Sequence, residues 1–348
     1  MYIKSLELKN YRNYENLSID FANGTNLLYG DNAQGKTNIL EAVYLGATTK
    51  SHRGSKDREI IRFKENESHI RMHYEKQDIM HQLDMHLKRS KAKGVAIDKI
   101  PIRKSSDLLG QIPIIFFSPE DLKIIKNGPS ERRKFLDIEL SQLESLYLYH
   151  LSKYNKILVQ RNNLLKQINF QKSLIDTLEA WDIQLVKYGS EIVRYREAFI
   201  KHLNVIIKEI HGKLTGNKEE IRLEYDNNVN YDEFLTELIK KRNIDLKYST
   251  TTVGPHRDDI SFIVNDIDIR KYGSQGQQRT AALSLKLAQI QLVKEVMKDS
   301  PVLLLDDVLS ELDSHRKKYL LESIKDTQTM ITCTGLDEFI DKHLPIQR

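Results

Sequence analysis

Residues 30–37 read Gly-Asp-Asn-Ala-Gln-Gly-Lys-Thr, and no other stretch limits the fold so strongly. The two glycines let a backbone turn tightly and bring its N–H groups up to a polyphosphate. Lys36 then reaches the β- and γ-phosphates, and the Thr37 hydroxyl can ligate Mg²⁺. The flanks agree with this reading. Thr25–Tyr29 reads as a strand entering the loop. From Thr37 to Thr48, Ile39, Leu40, Val43 and Ala47 recur at helical spacing. Strand, loop and helix N-terminus make an anion site. The expected nucleotide cradle is Gly30, Asp31, Asn32, Ala33, Gln34, Gly35, Lys36, Thr37 and Asn38.

A loop of this kind needs a carboxylate partner for the metal. Pro301-Val-Leu-Leu-Leu-Asp-Asp307 supplies one at the end of an apolar run, the pattern of a central parallel strand covered on both faces. Asp306 is expected to hold Mg²⁺ beside Thr37, and Asp307 to orient or deprotonate the attacking water. Lys36 and Asp306 lie 270 positions apart, yet one Mg²⁺·ATP site requires them within a few ångströms. The ends of the chain must therefore fold together, with the middle as an insertion.

That middle changes character at Asn127-Gly-Pro129. From Ser130 to about His211 there is no proline, and Gly189 is the one glycine before Gly212. Apolar residues recur at helical spacing over 136–158, mostly leucines, and again over 175–210, where Leu178, Ile183, Leu185, Val186, Ile192 and Val193 carry the pattern; this predicts either an antiparallel helix pair or a short coiled-coil arm. The expected organisation is an N-terminal head part over 1–127, a helical insertion lobe over 128–248, and the returning head over 249–348. Before the insertion, residues 1–21 read as edge strands, 69–90 as antiparallel strands and Ile112–Phe117 as a buried strand. After it, Ile260–Val264 and Ile267–Ile269 read as a hairpin about Asn265-Asp266.

Composition narrows the function classes. No run approaches the ~18 apolar residues of a membrane span. The N-terminus lacks a signal-peptide core, and the single Cys333 excludes an intrachain disulfide. A cytoplasmic location with no membrane partner is the expectation. The net charge of +5 is compatible with a nucleic-acid partner.

Tyr272-Gly-Ser-Gln-Gly-Gln-Gln-Arg279 stands immediately before a predicted helix over 280–296. Ser274, Gln275, Gly276 and Gln277 resemble the signature motif of ABC-type ATPases, and Ser310-Glu-Leu-Asp313 resembles their D-loop. Leu8-Lys-Asn-Tyr-Arg-Asn13, Ser51–Arg58, Phe117–Leu122, Asn127–Arg133 and Gly254–Asp259 extend the match over essentially the whole chain. The sequence resembles the SMC-like ABC ATPases, and among them the bacterial recombination-repair branch. The resemblance implies an α/β fold: an ABC-type P-loop ATPase head with a mixed sheet, and a helical second lobe inserted between the Walker A and Walker B motifs. It implies an ATP-driven homodimer with Ser274 reaching the γ-phosphate held by a second copy. It also implies binding to duplex and gapped DNA, partnership with RecO and RecR, indirect assistance to RecA loading, and weak DNA-stimulated ATP hydrolysis that releases the clamp. Asp307 stands where many ABC ATPases carry Glu; one methylene less withdraws the carboxylate, so turnover is expected to be slow. Thr332-Cys-Thr334 offers no His to sense the γ-phosphate.

Lys50, Arg53 and Lys56, then Lys88, Arg89 and Lys91, then Arg132 and Arg133 are the candidate phosphate-neutralising residues. Arg53 alternatively serves the nucleotide. His256 with Asp258 and Asp259 reads as a structural turn in preference to a metal site. Three rivals remain open: a transporter ATPase subunit, a small-molecule P-loop kinase, and a structural tether. The signature argues against the kinase, the helical insertion against the transporter, and the short arm against the tether.

Overall fold

The computed structural model describes residues 1–31, 33–104 and 107–334. The chain forms two compact units: Met1–Asp121 with Lys286–Arg348, and Leu122–Leu285. The first is thus built from both ends of the chain.

Its antiparallel sheet has the order β2-β1-β4-β5-β6-β7, from β1 (Tyr2–Tyr11), β2 (Tyr14–Asp20), β4 (Glu67–Lys76), β5 (Ile79–Lys88), β6 (Gly94–Ile97) and β7 (Ile100–Pro101). Alternation explains it: Ile70, Met72 and Tyr74 face the core while Glu67, His69 and Arg71 face out. Of the predicted edge strands only β2 is an edge; β1 lies between β2 and β4, and its buried Ile3, Leu6 and Leu8 suit that interior place. The second sheet is wholly parallel, in the order β3-β13-β12-β8, from β3 (Thr25–Tyr29), β8 (Ile114–Phe117), β12 (Val302–Asp306) and β13 (Thr329–Cys333). Helix α1 (Lys36–Thr48) packs against β4 and β5 of one sheet and β8, β12 and β13 of the other. Residues 39–48 of α1 are therefore all buried, and the core joins Leu40, Val43 and Leu45 to Leu6, Met72, Val302 and Met330. The short α2 (Asp57–Ile60) follows α1, and α10 (Ser314–Ser323) precedes β13. Asp313 caps α10, its carboxylate accepting from the Arg316 N–H at 2.9 Å.

The second unit begins with α3 (Leu122–Lys126) and α4 (Pro129–Leu143), which has Pro129 in its first turn. The antiparallel pair is α5 (Ser145–Ile168) and α6 (Leu178–Thr215), joined by a 3₁₀ turn over Lys172–Thr177. The chain breaks at Glu144, between α4 and α5. Two short helices, α7 (Phe234–Lys240) and α8 (Arg242–Tyr248), follow β9 (Ile221–Asp226). Strand β9 pairs with β10 (Asp259–Val264), and β10 pairs with β11 (Ile267–Asp268) through Asn265-Asp266, both at positive φ as a two-residue hairpin turn requires. Helix α9 spans Gln275–Met297.

The second unit takes in residues 249–285, which the sequence placed with the returning head. The cause is the β9–β10 ladder, which ties β10 to a strand beyond the helix pair. Buried polar contacts hold this unit together. Arg161 donates to Asp182 and Asp245 at 2.7 Å each. Arg196 pairs with Asp258 at 2.9 Å and Asp137 at 2.8 Å. His256 Nε2 donates to the Thr251 carbonyl (3.0 Å), and its Nδ1 accepts from the Tyr154 hydroxyl (2.7 Å). Burial pushes this imidazole down to about 4. It is a neutral structural residue, as the turn reading expected.

Candidate nucleotide site

The end of β3 turns into the loop at Gly30, and Gly35 sits at φ 98° as the residue before α1. That conformation favours glycine, and space demands it too: a Cβ there would stand 2.5 Å from the Tyr14 hydroxyl and 2.8 Å from Asn13 Nδ2. The β1–β2 turn thus presses on the loop, and Asn38 Nδ2 donates to Asn13 Oδ1 at 2.8 Å. Lys36 Nζ folds back onto the carbonyls of Gly30 (2.6 Å) and Asp31 (2.7 Å). Asn32 lies outside the described residues.

Across the parallel sheet, Asp306 ends β12. Its Oδ1 accepts from the Thr37 hydroxyl at 2.9 Å and from the Thr332 hydroxyl at 2.8 Å. The 269 positions between Thr37 and Asp306 have closed to one hydrogen bond. Thr332 Oγ1 also accepts the Asp307 N–H at 3.0 Å, so one hydroxyl fixes both acids of the pair. Strand β13 lies between β3 and β12, which brings Thr332 between loop and carboxylate. The sequence singled out this segment only for lacking a His to sense the γ-phosphate. Its legible signal was a hydroxyl near the end of an apolar strand. Asp307 takes φ 55°, a strained backbone for a non-glycine residue, and its side chain is exposed.

These residues line a cleft of about 560 Å³ with Ala33, Gln34, Asn38, His52, Arg53, Ser118, Pro119 and Glu120, all in the first unit. Lys286 Nζ holds the rim, donating to the Phe116 carbonyl (2.9 Å) and pairing with Asp121 (2.8 Å). His52 stacks on Phe116 with centroids 3.9 Å apart. Burial pushes it down to about 4, so the imidazole is neutral at pH 7. Cys333 also borders the cleft, from the buried end of β13. Thr37 and Asp306 offer two hard oxygens side by side, a donor set that suits Mg²⁺, which takes few protein ligands and keeps several waters.

Behind the cleft, Arg12 forks onto Glu41 of α1, with Nε–Oε2 2.8 Å and Nη2–Oε1 2.7 Å. Ser51 donates to the same carboxylate at 2.5 Å, and Arg12 also reaches Ser55 at 2.8 Å. Burial alone would raise the Glu41 carboxyl. The hydrogen bonds from Arg12 and Ser51, with the Arg12 charge, win and hold it below the usual carboxylate range. The Leu8–Asn13 and Ser51–Arg58 motifs are therefore one device that seats the segment after α1.

In the second unit, Ser274 and Gln277 form a reciprocal cap on α9. The Ser274 N–H donates to Gln277 Oε1 at 3.0 Å, and the Gln277 N–H donates to Ser274 Oγ at 3.2 Å. Gln277 Nε2 in turn donates to Glu219 at 2.9 Å. Glu219 lies 3.4 Å from the fully buried His211, whose Nδ1 meets Ser284 Oγ at 2.9 Å. Glu219 and His211 were not found from sequence, because nothing in a linear pattern marks a residue 58 positions away as the support of a cap.

The basic candidates divide. Lys50, Arg53, Lys56 and Lys91 are exposed, and Lys88 is half-buried. Arg53 borders the cleft and Nη1 reaches Asn38 Oδ1 at 3.3 Å. Arg89 turns back on the Glu65 carbonyl at 2.5 Å. Arg132 is corrected: at 1% exposed it cannot meet a DNA phosphate. It forks onto Asp259 (2.6 and 3.0 Å) and caps the carbonyls of Ile124 and Asn127. Arg133 is half-buried and donates to the Asp258 carbonyl at 2.8 Å. Among the described residues no helix is long and apolar enough to cross a membrane.

Residues 2–340 match the family described as the RecF/RecN/SMC N-terminal domain. The DNA replication and repair protein RecF of Lachnoclostridium phytofermentans is 61% identical, covering 100% of this chain and 97% of its own. The solved structure of the recombination mediator protein RecF-ATP in the RecFOR pathway superposes at TM-score 0.92 and 37% identity, over 97% of this chain and 93% of its own. An Smc head bound to the C-winged helix domain of ScpA superposes at TM-score 0.57 and 16% identity, over 97% and 90%; that likeness concerns the fold alone.

Proposed function

The chain belongs to the RecF branch of the RecF/RecN/SMC family, DNA replication and repair proteins with an ABC-type ATPase head, and from that premise we propose that it is an ATP-gated DNA clamp. One observation supports this reading above the rest: Thr37, Asp306 and Thr332 converge in a cleft lined wholly by the first unit, while the signature serine caps a helix in the second. The first unit carries the phosphate cradle, and a second copy of the chain supplies Ser274 to close it.

Bound Mg²⁺ would be held by Thr37 and Asp306, and it would neutralise phosphate charge. The chain's own residues do the rest. Lys36 exchanges two carbonyls for phosphate oxygens. Loop N–H groups and the α1 N-terminus favour the anion. Ser274 Oγ accepts from Gln277, which leaves its O–H to donate. Asp307 orients water from a strained backbone, with Thr332 fixing its N–H; its short reach makes hydrolysis slow and suits it to a release step. Lys50, Arg53, Lys56 and Lys91 are the proposed phosphate contacts for duplex or gapped DNA. RecO and RecR are the proposed partners in assisting RecA.

Sedimentation with and without ATP tests the clamp. Wild type is expected to shift from monomer to dimer. Lys36→Ala should lose nucleotide binding and the shift together, and Ser274→Arg should bind ATP yet remain monomeric. A wild-type chain that stays monomeric in saturating ATP overturns the reading.

A further inference from the structure

The outer face of the antiparallel sheet carries a group of side chains that ATP chemistry does not use. His69 on β4 and His86 on β5 are direct cross-strand partners. Their rings stack with centroids 3.9 Å apart and planes 24° from parallel. Glu67 lies two residues before His69 and so on the same face. His86 Nε2 is 2.9 Å from Glu67 Oε2, and His69 Nε2 is 3.9 Å from Glu67 Oε1. The ligand atoms of the three residues all lie within 4.8 Å of one another.

We propose that Glu67, His69 and His86 form a binding site for a borderline divalent transition cation of the Zn²⁺ or Ni²⁺ class. The geometry supports this in three ways. Metal bonds of 2.0–2.2 Å place tetrahedral donors about 3.4 Å apart, so small side-chain rotations close the triangle. The backbone beneath is already fixed, since β4 also pairs with β1 and β5 with β6; little ordering remains for the ion to impose. All three side chains are partly or well exposed, at 54%, 45% and 30% for Glu67, His69 and His86, which leaves room for water to complete the shell.

Donor chemistry selects the metal. Two imidazoles and one carboxylate suit zinc, nickel or copper, whereas Mg²⁺ and Ca²⁺ take oxygen ligands. Lys9 pairs with His69 across the β1–β4 ladder, and Lys88 pairs with Glu67. These cations oppose an ion held by charge alone and leave the advantage to one that bonds nitrogen. Neutral imidazole and ionised carboxylate are the ligating forms.

The test uses the full chain, stripped with chelator and free of nucleotide. ZnCl₂ is titrated calorimetrically in excess Mg²⁺, which occupies the oxygen sites of the nucleotide cleft, and Co²⁺ is added in parallel for its visible spectrum. Wild type should bind one equivalent saturably, with a cobalt band of four-coordinate intensity. His69→Ala and His86→Ala should each weaken binding at least tenfold. His73→Ala, on the same sheet face but against Ser5 and Gln82, should bind like wild type. Absence of saturable binding overturns the proposal, as does equal binding by wild type and both ligand variants.

Discussion

Arg12 and Glu41 show how much one pair can decide. Glu41 is fully buried on α1, and Arg12 is 19% exposed. Removing the cation leaves a carboxylate without charge compensation, and breaking a buried pair from one side costs about 3–5 kcal/mol. Arg12→Ala should therefore be severely destabilised in urea unfolding, and Arg12→Ala/Glu41→Gln should regain much of the loss. The pH dependence gives a sharper check. In wild type the Glu41 carboxyl is lowered from 4.5, so its contribution is present above pH 4.5 and is lost as pH falls through the lowered value. In Arg12→Ala the Ser51 hydrogen bond and the Arg53 charge remain, but the Arg12 hydrogen bonds and charge no longer offset burial, so the carboxyl rises relative to wild type; the penalty of the buried charge is present at neutral pH and fades on acidification. The stability gap between the two proteins should shrink as pH falls toward 4. A gap that stays constant would show that lost packing, not charge, sets the cost.

Helix α9 poses the same question for an element. Its start depends on the Ser274–Gln277 cap, and the cap depends on Glu219. A helix cap is worth about 1 kcal/mol, so Glu219→Ala should weaken ATP-driven self-association about fivefold while leaving nucleotide binding unchanged. Glu219→Gln keeps an oxygen acceptor for Gln277 and should restore association; equal behaviour of Ala and wild type would remove Glu219 from the cap's support. Elements of this kind also mark what sequence can carry. The P-loop, β12 and the hairpin at Asn265-Asp266 were legible because local chemistry dictates them: phosphate geometry, an apolar strand with a terminal acid, a two-residue turn. Strand β1 was misjudged as an edge because alternation is the same in edge and interior strands. Glu219, His211 and the role of Thr332 were hidden because partners 26 to 73 positions away leave no period.

At the scale of the whole molecule, the distribution of basic residues matters more than the net +5. An exposed lysine that meets a phosphate releases a counterion, and each such contact adds about 0.9 to the slope of log affinity against log salt. Lys50 and Lys91 are exposed. Arg132 is spent inside the second unit, on Asp259 and on the carbonyls of Ile124 and Asn127. Sequence treated all three alike, because a basic cluster reads the same whether its guanidinium faces solvent or a buried carboxylate. DNA titrations with ATP across a salt series separate them. Lys50→Ala and Lys91→Ala should each lower the slope by about 1 with stability unchanged. Arg132→Ala should leave the slope alone and lower the unfolding free energy by about 3 kcal/mol, the scale of a broken buried pair. If Arg132→Ala flattens the salt dependence while the lysine variants do not, DNA engages the second unit near α4, and the phosphate track proposed along the first unit is wrong.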